Sequence, residues 1–225
     1  MNPNLAEKGH AELAFWESRL KQQNPLRNDH FEYFYTTHFG LNREFYRGMK
    51  ILDIGCGPRG SLEWATDADL RIGLDPLADA YRKLGIDRHT MQYVASSAEE
   101  IPFPDESFDI VSSFNSLDHV DDLDAVITEI SRVLRASGHF LLISDIHHHP
   151  TTLEPTAFSW DVVAKFQPSL QVVKERHFEY TVKSEDGFGD IYGSLRRGIP
   201  YDHTDPTERY GILSARFRKP GSSGE

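Results

Sequence analysis

Residues Ile51 to Gly60 read ILDIGCGPRG. Four residues of apolar strand, Ile51 to Ile54, run into glycines at 55, 57 and 60. Glycines let a backbone turn sharply and come close to a ligand. Asp53 puts a carboxylate at the edge of that bare stretch. Which ligand it suits depends on what surrounds it.

Outward from this loop the chain alternates strand and helix. KILDI (50–54), LRIGLD (70–75), MQYVAS (91–96), FDIVSSF (108–114) and HFLLIS (139–144) read as strands. SLEWA (61–65), Leu77 to Leu84 and Asp121 to Ala136 read as the helices between them. In the last, Leu123, Ile127, Ile130 and Leu134 share a face, and Gly138 follows it. Such ordering predicts a parallel sheet with helices on both faces. Before it, Leu5 to Gln23 has the helical stripe Leu13, Trp16, Leu20 and is stopped by Asn24-Pro25. A second helix is expected over NDHFEYFYTTHFG (28–40), capped by Asn28 or Asp29 and ended by Gly40 at C′. Beyond a short helix at 159–166, LQVVKERHFEY (170–180) and YGILSARFRK (210–219) read as strands. The 28 residues from Thr181 to Glu208 between them exceed a hairpin loop of ~2–5 residues, as lids and binding loops do. The expectation is one domain over 1–225: a helical cap at 1–48, a core at 49–180 and 209–219, and a lid-like insertion at 181–208.

The 225 residues carry 35 acidic and 24 basic side chains, a formal charge of −11, with no basic block. Nucleic acid is a poor partner for such a chain, since phosphate contacts need Lys and Arg. Anionic membrane surfaces are disfavoured for the same Coulombic reason. The single cysteine forms no internal disulfide, which suits a reducing compartment. With no apolar leader at the start and no long apolar run, a cytoplasmic protein is expected.

In an open parallel sheet, ligands sit beyond the C-terminal strand ends. Asp53, the glycine loop and Asp75 all fall there. Asp75 stands about 20 residues after Gly55, the spacing of an acid that holds a ribose diol. GCGPRG matches the dinucleotide pattern G-x-G-x-x-G, but three features oppose that reading. Asp53 repels a pyrophosphate and suits a cationic ligand end. Pro58 removes an N–H from a loop whose donors would cradle phosphate. A nicotinamide leaves Ser97 to Ser144 unexplained.

That block, SAEEIPFPDESFDIVSSFNSLDHVDDLDAVITEISRVLRASGHFLLIS, together with ILDIGCGPRG and IGLDP, resembles the class I S-adenosylmethionine-dependent methyltransferases, nearest to the small-molecule branch called type 11. The resemblance covers Lys50 to Ser144. It implies a doubly wound, mostly parallel seven-stranded Rossmann-like α/β sheet with S-adenosylmethionine as cofactor. Asp53, Gly55, Cys56 and Gly57 then line the methionine part of the cofactor. Asp75 holds the ribose, Pro76 packs beside the adenine, Ala98 and Glu99 reach its edge, and Asn115 contacts the methionine end through its backbone. Relatives often carry Asp where Ser97 stands, so adenine recognition departs from the pattern here.

The acceptor is expected to be a small organic molecule such as a sugar or secondary metabolite, methylated on oxygen. Its pocket falls outside the resemblance, to Tyr33, Tyr35 and His38 of the second helix and Tyr192 and Tyr201 of the insertion. His119 beside Asp118, and His147 of the HHHP run (147–150), are the candidate acid–base groups. Adjacent histidines in extended chain point to alternate faces, so no metal site is expected. Cys56, with no partner base in the sequence, reads as a small buried side chain. Cofactor binding without catalysis, and an NAD-type oxidoreductase, are the competing functions.

Overall fold

The computed structural model describes residues 3–147, 149, 156–182 and 190–221, and for residues 3–7 the backbone alone. His148, Gly187 and Gly189 lie outside the described residues. The helices are α1 (Pro3–Gln22), α2 (Phe31–Tyr35), α3 (Ala78–Tyr81), α4 (Leu123–Val133), α5 (Val162–Lys165) and α6 (Ile191–Arg197). The strands are β1 (Lys50–Ile54), β2 (Leu70–Leu74), β3 (Gln92–Val94), β4 (Phe108–Phe114), β5 (Leu134–Ile146), β6 (Gln171–Glu179) and β7 (Gly211–Arg218).

The seven strands form one sheet in the order β3-β2-β1-β4-β5-β7-β6. Neighbours from β3 through β5 are parallel, while β7 runs antiparallel between β5 and β6. The strand order reverses between β1 and β4. That makes the crevice beyond their C-terminal ends the place for a ligand. β4 is buried along its whole length, as a central strand covered on both faces must be.

One face of the sheet is covered by α4 and α5, which bury Val126, Ile130 and Phe166 against Leu52, Val111 and Phe140. The other is covered by α2 and α6, with Phe31, Phe34, Tyr35, Ile191 and Leu195 against Ile51, Ile110 and Leu141. The helical cap and the insertion therefore supply one of the two layers.

Several local expectations are corrected. SLEWA is a run of turns closed by i+3 bonds, not a helix. Three of its successive side chains are committed in different directions. Ser61 donates to Asp53, Leu62 enters the core, and a Glu63 oxygen accepts from the Thr90 and Met91 N–H groups. The α2 segment is a five-residue helix followed by a 3-10 turn, Thr37–Phe39. Neither Asn28 nor Asp29 caps it by side chain; the Asn28 carbonyl takes the Phe31 N–H. Gly40 closes the 3-10 turn in the left-handed conformation, φ 71°, as expected. α4 ends at Val133, and β5 starts at Leu134, earlier than periodicity suggested.

Candidate active site

Asp53 ends up fully inside the crevice. Its carboxylate accepts from the Ser61 hydroxyl at 2.5 Å and the Ser112 hydroxyl at 2.7 Å. Burial pushes its pKa up to about 6 against the pull of those bonds. Asp75, one strand over, accepts the Gly57 N–H at 3.0 Å on one oxygen and the Leu77 N–H at 2.9 Å on the other. Burial lifts it to about 6 as well. Two buried carboxylates at adjacent strand ends give this part of the sheet a charge that favours a cationic ligand.

Gly55 and Gly57 both sit at positive φ, 66° and 57°. A Cβ at Gly55 would overlap the side chain of Ser116, which donates to the Ile54 carbonyl at 3.0 Å. A Cβ at Gly57 would come 3.1 Å from the indole of Trp16. Cys56 points the other way, toward Gly73 of β2 and the Met91 side chain just before β3, and offers a ligand only its backbone. Burial raises its thiol pKa well above the ordinary value, the mark of an inert cysteine. Asn115 takes the left-handed conformation at φ 56° and leaves its side-chain Oδ1 buried without a partner.

Helix α1 lies across this mouth. Leu13, Trp16 and Leu20 pack with Leu77, Tyr81 and Tyr93 beside β2 and β3. Arg59 of the glycine loop bonds to Gln23 Oε1 and the Arg27 carbonyl and stacks over the Trp16 ring. At the far side Lys8 donates to the His119 carbonyl and pairs with Asp121 at 3.6 Å. One helix thus bridges the loops after β1, β2 and β4.

The strand ends of β1, β2 and β4, the bare glycine cradle and the acid closing β2 are now in one crevice. A methyltransferase-domain family model matches residues 52–142, the stretch that builds it. Residues 52–142 carry a methyltransferase domain, of the class I S-adenosylmethionine-dependent kind. The chain is 29% identical over 175 residues to the O-methyltransferase rstn1 of Aspergillus nomiae, covering 73% of this chain and 72% of that one. To the fatty-acid O-methyltransferase of Mycolicibacterium smegmatis it is 32% identical over 101 residues, 42% of this chain and 36% of the other. The methyltransferase also has the fold of the YcgJ protein of Bacillus subtilis, with a TM-score of 0.59 at 18% identity over 83% of this chain and 99% of that one. The cofactor of this family is S-adenosylmethionine, and the dinucleotide alternative is set aside.

The residues of this methyltransferase fit that cofactor. The backbone at both glycines is bare, because Ser116 and Trp16 occupy the places a Cβ would take, and the Asn115 amide oxygen is a buried polar atom without a hydrogen-bond partner. Pro76 is exposed beside the mouth, and Ala98 is buried near α4. Glu99 turns its carboxylate toward the Asp121 and Asp122 N–H groups at the start of α4, at 3.0 and 3.4 Å.

Of the acceptor residues named from sequence, Tyr35 and Tyr192 converge. Tyr35 is fully buried, and after burial the largest influence raising its pKa is the Asp53 charge. Tyr192, on α6, lies tilted with its ring centre 4.7 Å from that of Phe34 and feels the same Asp53 charge. Tyr33 lies under Arg196. His38 points into the sheet and bonds Ser214 at 2.8 Å, and burial takes its pKa down to about 3. Tyr201 belongs to a separate group, with Trp160 and His203, on the β6–β7 edge. His119 is half-exposed after β4, its ring nitrogens 3.9 Å from Glu12 and 3.9 Å from Asp118. His147 is buried at the end of β5.

Sequence reasoning missed Trp16, Ser61, Ser112 and Ser116 as parts of the site. A serine in a loop carries no signal of its partner, and Trp16 read as the buried stripe of a helix whose docking place was unknown. No helix among the described residues is long and apolar enough to cross a membrane.

Proposed function

We propose that the chain methylates an oxygen of a small organic acceptor, a sugar or secondary metabolite, drawn into the cleft between α2, α6 and the loop after β4. The observation that carries this reading is the position of His119. It stands four residues past Asn115, between the carboxylates of Asp118 and Glu12 at 3.9 Å each. An alcohol must lose its proton to become a nucleophile, and an imidazole between carboxylates is suited to receive it and to be steadied afterwards. The oxygen then forms its bond to the methyl carbon as the carbon–sulfur bond breaks and its electron pair stays on sulfur. The bound sulfonium supplies an activated methyl group with a neutral leaving group. The protein's share is alignment and exclusion of water, worth several kcal/mol of the barrier. Tyr192 is the partly exposed aromatic ring on this side, with Phe34 and Tyr35 buried in the core beside it, and its apolar body with a polar end is fit for an uncharged acceptor.

The Aspergillus relative is an O-methyltransferase, which supports oxygen as the target atom. The test is transfer of labelled methyl from S-adenosylmethionine across a panel of sugars, phenols and alcohols. The expected result is an O-methyl product whose formation falls at least ~100-fold in His119→Ala with cofactor affinity kept. Products methylated on nitrogen or carbon, or undiminished turnover in His119→Ala, would overturn the proposal.

A further inference from the structure

The ends of β4 and β5 bring together three side chains that the cofactor site does not use. Asp118 follows β4, Asp145 lies near the end of β5, and His147 stands two residues on, so it shares a face with Asp145. One donor atom from each lies within 4.8 Å of the others. Asp118 and His147 are both almost completely buried, and Asp145 is half-buried.

The histidine shows what this cluster is for. His147 Nδ1 lies 3.0 Å from the His149 carbonyl, which only accepts, so Nδ1 carries the ring proton. In the neutral ring Nε2 presents a lone pair. It is buried, has no hydrogen-bond partner, and faces Asp118 Oδ2 at 3.8 Å. A lone pair turned toward carboxylates in a buried place is repelled by them, and a positive centre between them relieves that repulsion. Two ligand atoms on opposite sides of an ion are about 4.2 Å apart at ordinary ~2.1 Å bond lengths. The observed separations thus close on an ion with shifts of less than about an ångström.

We propose that Asp118, Asp145 and His147 bind a divalent cation, of the Mn²⁺ or Zn²⁺ kind that accepts mixed carboxylate and imidazole ligands. This departs from the sequence expectation of no metal. Adjacent histidines do not share the ion; one histidine joins two aspartates brought by separate strands. Three protein ligands leave further coordination positions open toward the half-buried side at Asp145. Resting on the methyltransferase reading above, those positions take two neighbouring oxygens of the acceptor, such as a vicinal diol or an α-hydroxy acid. The ion fixes one oxygen near His119 and the transferable methyl, and favours its deprotonated form.

The test uses the full chain, stripped with a chelator and titrated with Mn²⁺ by electron paramagnetic resonance and with Zn²⁺ by calorimetry. The expected result is one ion per chain with a dissociation constant below about 1 mM. His147→Gln and Asp145→Asn should each weaken uptake at least about tenfold, while S-adenosylmethionine still shifts their melting temperature. Uptake of neither ion by the parent protein would overturn the site, and a protonated imidazolium bridging to Asp118 would take its place. So would uptake unchanged in both variants, which would put the ions on the acidic surface. Stoichiometric binding with no gain in turnover of vicinal-oxygen acceptors over single alcohols would overturn the ion's role at the acceptor. Because cofactor binding is read separately, a protein that binds metal but not S-adenosylmethionine would sink the methyltransferase reading and leave the ion site standing.

Discussion

Asp75 Oδ2 accepts the Gly57 N–H at 3.0 Å, so the acid that closes β2 also fastens the loop that follows β1. The same carboxylate that is to hold the ribose sets the conformation of the cradle beside it. Asp75→Ala is therefore expected to weaken S-adenosylmethionine binding by about 2–3 kcal/mol, roughly 30- to 150-fold, through loss of charged hydrogen bonds. Calorimetry on the folded variant checks this; unchanged affinity would displace the ribose from Asp75.

Asp53 and Asp75 are both raised to about pH 6 by burial, from an ordinary carboxylate value near 4. The sign for folding is that of a raised acid. The native chain binds these protons more tightly than the unfolded one, so the stabilisation is complete below about pH 4 and is lost as pH rises through about 6. The cofactor, with a cationic sulfonium, requires the ionised forms. Its affinity should be level above about pH 7 and fall below about 6 by up to about tenfold per pH unit for each of the two carboxylates that must ionise. Titrations from pH 5 to 8 measure it. Affinity constant across that range would show that neither carboxylate changes protonation on binding.

Gly55 and Ser116 compete for one volume. Gly55→Ala forces a side chain onto positive φ and into Ser116, and a loss of at least ~2 kcal/mol in stability is expected. Adding Ser116→Gly removes the clash but not the backbone strain, so about half of that loss should return. Thermal or urea melts of the single and double variants read the coupling. Full additivity would mean the two residues are not in contact.

The Tyr35 hydroxyl is buried beside Asp53 and Ser112 without closing a well-formed hydrogen bond to either. Tyr35→Phe should leave the ligand-free protein equally stable or up to ~1 kcal/mol more stable, since a buried unsatisfied hydroxyl is costly. Acceptor turnover should fall if the hydroxyl's partner is a ligand. A destabilised Tyr35→Phe protein would show that the hydroxyl is bonded within the native chain.

Tyr192 ties the insertion to α2 through Phe34 and His30, at ring separations of 4.7 and 5.1 Å. Tyr192→Ala should lower acceptor kcat/KM by about tenfold or more and change cofactor affinity by no more than ~2-fold. Steady-state kinetics at saturating cofactor separate the two. The insertion is also structural. Ser194 Oγ accepts the Thr181 and Val182 N–H groups at 3.0 and 2.9 Å, and Leu195 is core. Point variants are accordingly a cleaner probe than shortening it.

The amino-acid order alone determined the sheet. The strands at Lys50–Ile54 and Phe108–Phe114 are apolar runs ended by glycine or polar turns, and their hydrophobicity and β-branching are local properties. The glycine loop and Asp75 were legible for the same reason: their spacing from a strand end is fixed by the chain. The tertiary structure decided what no spacing encodes. Ser61 abandons a helical pattern to reach Asp53, because burying a carboxylate requires hydrogen-bond donors close at hand. Trp16 covers Gly57 only because α1 crosses the mouth of the sheet. Asp118 and His147 are 29 residues apart and meet only because β4 and β5 are neighbours in parallel register. Local sequence sets backbone period and turn chemistry. Contacts between distant residues are set by how whole elements dock, and that is decided by the summed burial of both faces of the sheet.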